Sequence, residues 1–241
     1  MRILVGSVFT YWLMAFFPLN AQNPTHRSAA LSPIQQRLVV IAGLTAKGDL
    51  PNLQPALNGG LDTGLTVNEI KEVLVHLYAY CGFPRSIRGL QTLMAVLDER
   101  KKRGITDRMG REATPVASTK PKYERGKAIL DTLTGRPQTG SPVGYSAFSP
   151  EIDVFLKEHL FADIFERDVL SYVDRELTTI AVLTSIGGVE PMLQSHLGIC
   201  LHIGLTEPQL RQVFSLLETS VGKADAEAGR AVLTRMMAEK R

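Results

Sequence analysis

The chain uses one pattern twice. LVVIAGLTAKG, beginning at Leu38, returns as LTTIAVLTSIG at Leu177, 139 residues later, and LQPALNGGLDTGLTVNEIKEVLVHL from Leu53 returns as LQSHLGICLHIGLTEPQLRQVFSLL from Leu193, 140 residues later. One inserted residue reconciles the two offsets. A duplication on this scale means that a single supersecondary unit occurs twice, so whatever fold suits one copy must suit the other.

The unit is helical. Leu38, Ile41, Ala42 and Thr45, and their copies Leu177, Ile180, Ala181 and Thr184, fall at i, i+3, i+4 and i+7, the buried stripe of a helix. Leu53, Leu57 and Leu61, repeated as Leu193, Leu197 and Leu201, mark a second helix. Thr66 with Glu69, repeated as Thr206 with Gln209, has the spacing of a capping box ahead of a third apolar stripe. Gly64 and Gly204 precede those caps and suit a left-handed end to the second helix, while Gly82 and Gly222 are placed to close the third. Neither copy alternates with a period of two. The expected fold is all-α, two tandem helical bundles related by internal duplication.

The remaining segments divide the chain. Residues 1–21 read as a secretory signal peptide: Arg2, an apolar run from Ile3 to Phe17, then Leu19-Asn20-Ala21 before polar residues, with an uncleaved membrane anchor as the alternative. Residues 22–98 form the first module and 123–241 the second. Between them, 99–122 is charged and then Pro/Ser/Thr-containing; it reads as a linker whose basic start is a solvated helix end. Tyr123 to Leu133 is expected to be helical, followed by a loop and a further helix over Glu151 to Phe165. The leader implies a periplasmic or secreted protein with no stable membrane span once it is cleaved.

Composition excludes several classes. The 27 basic and 24 acidic residues nearly balance, so no nucleic-acid partner is expected. Two cysteines, Cys81 and Cys200, are too few for a disulfide scaffold or a four-cysteine zinc site. G-x-S-x-G, G-x-G-x-x-G, phosphate-cradling and H-E-x-x-H motifs are missing. What remains is a few ionisable residues on apolar helices. Glu176 and His196 lie in the second copy where the first has Arg37 and Ala56; His76 and Tyr80 lie in the first where the second has Leu216 and Ser220. Each copy holds polar groups that the other lacks, so two half-sites are expected to combine. A hydrogen-bonded core histidine is the alternative for His196, and His159 and His202 read as surface residues.

At this point the chain resembles a known family. RELTTIAVLTSIGGVEPMLQSHLGICLHIGLTEPQL and IKEVLVHLYAYCGFP look like the carboxymuconolactone decarboxylase family, which includes the alkylhydroperoxidase-like proteins; LFADIFERDVLSYVDRELTTIAVL and YERGKAILDTLTG extend the likeness over most of Leu31 to Met237. The resemblance implies two tandem alkylhydroperoxidase-like modules, a homo-oligomeric ring (for a two-module chain, a trimer) and sites at module interfaces. Glu176 and His196 match the family's acid-base positions, and His76 with Tyr80 match its H-L-x-x-Y-x-G motif.

Different chemistries are open within that family. In its peroxidase branch a C-x-x-C pair precedes the histidine; matching that histidine to His196 puts the pair at Val189 and Met192, so both thiols are missing. Cys200, four residues after His196, leaves at most a single-thiol, peroxide-reducing alternative. The decarboxylase branch works without cofactor by moving protons, and needs an acid or base near neutrality and a cation for a carboxylate. That gives the leading expectation: an acid-base lyase acting on a small carboxylic acid or lactone, with His196, Glu176, His76 and Tyr80 catalytic, Arg85 a candidate substrate anchor, no cofactor and no metal. A non-catalytic oligomeric binding protein is the third alternative. The leader argues against inheriting the family's namesake substrate, which belongs to a cytosolic pathway.

Overall fold

A computed structural model describes residues 30–137 and 139–239; the expected leader over 1–21 lies outside the described residues. The helices are α1 (Pro33–Lys47), α2 (Leu50–Thr63), α3 (Val67–Lys102), α4 (Lys122–Thr134), the short α5 (Tyr145–Phe148) and α6 (Pro150–Val154), α7 (Tyr172–Ile186), α8 (Glu190–His202), α9 (Glu207–Ser220) and α10 (Lys223–Glu239). A run of π-helical turns, Phe155–Phe165, continues α6. There is no strand among the described residues, and no described helix is long and apolar enough to cross a membrane.

Local chemistry sets the helix ends where the sequence marks them. Thr66 and Thr206 each accept from the backbone N–H three residues on, while Glu69 and Gln209 reach back to the cap N–H, at 2.7 Å and 2.9 Å. Each box satisfies two N–H groups that the helix start leaves without intrahelical partners. Gly64 and Gly204 turn the chain with φ of 112° and 106°, a region that a side chain disfavours.

The two tandem helical copies pack closely on one another. α1 lies along α7 at the centre, α3 of the first copy packs on α7 of the second, and α9 of the second packs on α1 of the first. The predicted stripes are buried: Leu38, Ile41, Ala42, Leu177, Ile180 and Ala181 share one core with Leu53, Leu57, Leu193 and Leu197. The repeat also extends one helix further than its legible pattern. Gly82 breaks α3 with φ 79° and ψ 162°, and the part of α3 beyond it is the counterpart of α10. Both counterparts cross their neighbours at a glycine. A Cβ on Gly89 would stand 2.7 Å from Leu74, and one on Gly229 2.4 Å from Phe214, so close packing at this crossing is duplicated too.

The interval between modules is only partly a free linker. α3 runs on to Lys102, and while Lys101, Lys102 and Arg103 are exposed, Arg100 is buried in a two-pronged contact with Asp107 at 2.9–3.0 Å. The chain beyond then straps the start of α3: Arg108 and Met109 carbonyls accept from the Val67 and Asn68 N–H groups, both at 2.9 Å. Asp168 holds the far end through Thr114 N–H at 2.8 Å and Arg111 at 2.7 Å. α4 lies against the π-helical run in a second, smaller apolar cluster of Ile129, Leu133, Phe161 and Phe165, to which Tyr80 also packs.

Candidate active site

α7 is the most buried helix of the molecule, and it carries charge. Arg175, Glu176 and Thr179 all have 0% exposure. Removing an ionised carboxylate or guanidinium from water costs several kcal/mol unless a partner meets it, so each side chain must find one across a helix interface. Glu176 turns toward α8, where its Oε2 accepts from His196 Nδ1 at 2.8 Å. A carboxylate only accepts, so the neutral ring carries its proton on Nδ1 and presents a bare lone pair at Nε2. Nε2 has no hydrogen-bond partner among the described residues, and the His196 side chain keeps 14% exposure.

The facing wall comes from the other copy. Glu72, His76 and Tyr80 stand at i, i+4 and i+8 on one face of α3. Glu72 accepts from Arg175 Nη2 at 2.7 Å and from Arg167 at 2.9–3.1 Å, so two guanidinium groups converge on one carboxylate. Arg175 also donates to the Arg167 carbonyl at 2.6 Å, and its Nη1 lies 3.4 Å from His76 Nδ1. On the ring's other side, His76 Nε2 is 2.9 Å from Thr179 Oγ1. The Thr179 hydroxyl donates its one proton to the Arg175 carbonyl at 2.9 Å; its lone pairs then accept from His76 Nε2–H and face the Tyr80 hydroxyl at 3.3 Å.

Electrostatics sort these groups. Burial, then the Arg175 cation, then His196 hold His76 well below the usual imidazole range, so it stays neutral. Burial and the negative charge of Glu176 push the Tyr80 phenol far up, and it stays protonated as a neutral donor. The Tyr80 ring meets the His196 ring edge-on at 5.9 Å and the His76 ring at 5.3 Å, while Phe165 from the π-helical run closes over His76 at 5.2 Å. Among the described residues, the buried Glu176 Oε1 and Arg175 Nε lack a hydrogen-bond partner.

Four of the expected site residues, His196, Glu176, His76 and Tyr80, therefore meet between the copies. Arg85 does not join them: it is exposed, with its guanidinium lying over Gly48 at the end of α1 and its charge felt at Cys81. Cys200 is fully buried, and burial together with the Glu176 charge raises its thiol well above the ordinary range. Cys81 is half-buried, pushed up to about 11, and donates to the Leu77 carbonyl at 3.2 Å. Both are free thiols. His159 and His202 are exposed, as expected. No group of His, Cys, Asp and Glu suited to a metal occurs among the described residues. A cleft of about 940 Å³ opens on the opposite side of α8, lined by Gln194, Ser195, Gly198, His202 and Arg136; it includes none of the clustered residues, so its size does not make it the reacting centre.

Glu72, Arg175 and Thr179 escape the sequence reading. A signal for them exists in the four-residue spacing Glu72, His76, Tyr80 on α3 and Arg175, Thr179 on α7, which aligns polar groups on inward faces. The mirror-image position is instructive. The corresponding positions are Gln36, Arg37, Val40 and Ala56 in the first copy and Gln212, Leu216 and Ser220 in the second; Gln36 donates to the Leu31 carbonyl at 3.0 Å, Gln212 accepts from the Leu31 N–H at 2.7 Å, and Arg37 is exposed and donates to Thr63 at 3.1 Å. Neutral amides, Gln36 and Gln212, stand there in place of Arg175 and Glu72, an exposed arginine stands in place of Glu176, and no histidine remains. Among the described residues, the buried histidine–carboxylate pair is His196 with Glu176; His159 with Asp163 is an exposed pair on the surface.

Fold and site together define a duplicated helical bundle with an imidazole–carboxylate pair at the interface between its copies. A family model described as the carboxymuconolactone decarboxylase family matches residues 17–93 and 150–235, one region per copy, and the chain belongs to that family. No curated protein matches the chain.

Proposed function

We propose that the chain is a cofactor-independent acid-base enzyme acting on a small carbonyl compound of the lactone or carboxylic-acid kind. One observation carries this reading: His196 Nδ1 is held at 2.8 Å by a fully buried carboxylate, and Nε2 is left without a partner. In that arrangement Glu176 fixes the tautomer and ring orientation, and it stabilises the imidazolium formed when Nε2 takes a proton. Tyr80, protonated and adjacent, donates to the oxygen on which charge develops. His76 and Thr179 hold Tyr80 from behind. A thiol route gains nothing from Cys200, because the thiolate is the nucleophile and burial disfavours it.

The test is turnover across a panel of lactones and carbonyl acids. His196→Ala is expected to lower the rate on the order of 10²–10⁴-fold, the usual worth of a positioned base, with the oligomer unchanged. Undiminished turnover contradicts the assignment. We further propose export through the 1–21 leader and assembly into a homo-oligomer. The first rests on Arg2 and the apolar run from Ile3 to Phe17 ahead of Leu19-Asn20-Ala21, the second on Phe83 and Met94, 63% and 65% exposed on α3.

A further inference from the structure

Resting on the acid-base reading of this site, we infer that α4 and the π-helical run together form a lid, which swings away from the body of α3, α7 and α8 to admit the substrate. The working groups are packed against one another. His76, Glu176 and Thr179 have 0% exposure, and the Tyr80 ring meets the His196 ring edge-on at 5.9 Å. A substrate that reaches both His196 Nε2 and the Tyr80 hydroxyl therefore needs one wall of the site to move. The wall that differs from the rest is the roof. Phe165, 1% exposed, closes over the His76 ring at 5.2 Å and belongs to the second, smaller core with Ile129, Leu133 and Phe161.

That roof is built as a unit. α4 packs chiefly on the π-helical run, and ion pairs knit the unit to itself: Lys122 with Asp163 at 2.8 Å, Arg125 with Glu166 at 3.0 Å, and Lys157 with Asp153 at 2.6 Å. What joins it to the body in the smaller core is apolar packing, Tyr78, Tyr80 and Tyr172 beside Ile199 and Ile203. Apolar contact is non-directional, so such a seam parts and reseats without specific bonds to break. The two ends of the unit meet at one pivot. Asp168 holds Arg111 and Thr114 of the strap, and its neighbour Arg167 grips Glu72 of α3. From that anchor, residues 115–120 lead to α4 exposed and without secondary structure. The run itself gives the motion a form. π-Turns occur mostly singly and at functional sites, whereas eleven successive residues adopt them here. A one-residue change of register in the last turn would rotate Phe165 by about 100° around the run, off His76.

The reporter is His76, which has no exposed surface, acylated with diethyl pyrocarbonate in the full-length protein and located by mass spectrometry. In the wild type it is expected to react about tenfold or more slowly than the exposed His159 and His202, while Cys200 in the main core stays closed to iodoacetamide. Phe165→Ala should raise the His76 rate by about tenfold or more, and Gly126→Ala should do the same if that variant does not fold. Amide exchange in the wild type should place α4 and the π-helical run in one group that opens more readily than α1 and α7. The Tyr78 and His159 rings stand 5.5 Å apart across the seam. A short reducible bismaleimide joining Tyr78→Cys to His159→Cys, in a Cys81→Ser background, should hold the lid shut and lower turnover of the lactone panel by about tenfold or more until it is reduced. His76 reacting as fast as His159, or only once Cys200 is also exposed, overturns the lid. So does α4 exchanging no sooner than α7, or a crosslink that leaves turnover intact. Full turnover by His196→Ala contradicts the acid-base reading instead, and the acylation and exchange measurements then still decide on the lid.

Discussion

His76 lies between a guanidinium and a hydroxyl with no exposed surface, and its neutrality has a measurable consequence. Its folded-state affinity for a proton is depressed, whereas in the unfolded chain it titrates near the ordinary value of about 6.5. Below that pH the unfolded chain binds a proton that the native one refuses, so stability is lost as pH falls, by up to roughly 1.4 kcal/mol per pH unit from this residue. Urea midpoints at pH 7 and pH 5 should therefore converge in His76→Gln relative to the wild type; an unchanged pH slope would show that His76 is not held neutral. Cys200 makes a second test. Its buried, protonated thiol should resist iodoacetamide in the native protein and react only after unfolding. At this scale the sequence exposes Glu176 and His196 because their counterparts Arg37 and Ala56 differ so sharply in kind. Glu72 and Arg175 stay hidden because their partnership spans 103 residues of chain, and each alone passes for an ordinary helix-surface charge.

Helices are the most legible level. Capping residues and apolar stripes are local, they recur in both copies, and each acts within its own turn, so the boundaries near Thr66, Thr206, Gly64 and Gly204 follow without tertiary knowledge. The helix beyond Gly82 and its counterpart α10 are harder to see as repeats, since their likeness lies in a glycine crossing and not in shared letters. The strap over 103–120 is invisible for another reason: its bonds to the Val67 and Asn68 N–H groups are made by backbone, which any sequence supplies, and its side-chain ties, Arg100 with Asp107 and Arg111 with Asp168, join residues that no local pattern pairs. α4 offers a clean perturbation. A Cβ on Gly126 would stand 1.7 Å from the Lys157 carbonyl oxygen, a backbone atom that cannot rotate away. Gly126→Ala should undock α4 from the π-helical run at a cost on the order of 3 kcal/mol, expose Ile129 and Leu133, and raise hydrophobic-dye binding while α1 and α7 stay folded. Unaltered thermal stability would show that the contact between α4 and Lys157 is not close.

Duplication is legible in the sequence, and the two tandem helical modules it produces share one core. Because α1 packs along α7 and each copy's third helix packs on the other copy's first, neither copy keeps its apolar stripe covered alone. Unfolding should accordingly be a single transition, with far-ultraviolet dichroism and tyrosine fluorescence coincident; two separated transitions would mean that the copies fold independently. The same packing accounts for a site on one side only: α3 of the first copy meets α7 and α8 of the second, whereas the reciprocal meeting of α9 with α1 has no histidine and no buried carboxylate among the described residues. A titration with any ligand of the site should saturate at one equivalent per chain.

The account turns on Glu176 leaving the lone pair of His196 at Nε2, and nitrogen-15 NMR of the imidazole reads that directly. Neutral His196 is expected as the Nδ1–H form in the wild type and as a mixture of forms in Glu176→Gln. A dominant Nε2–H form in the wild type would put the proton where the base must be bare, and would contradict the account.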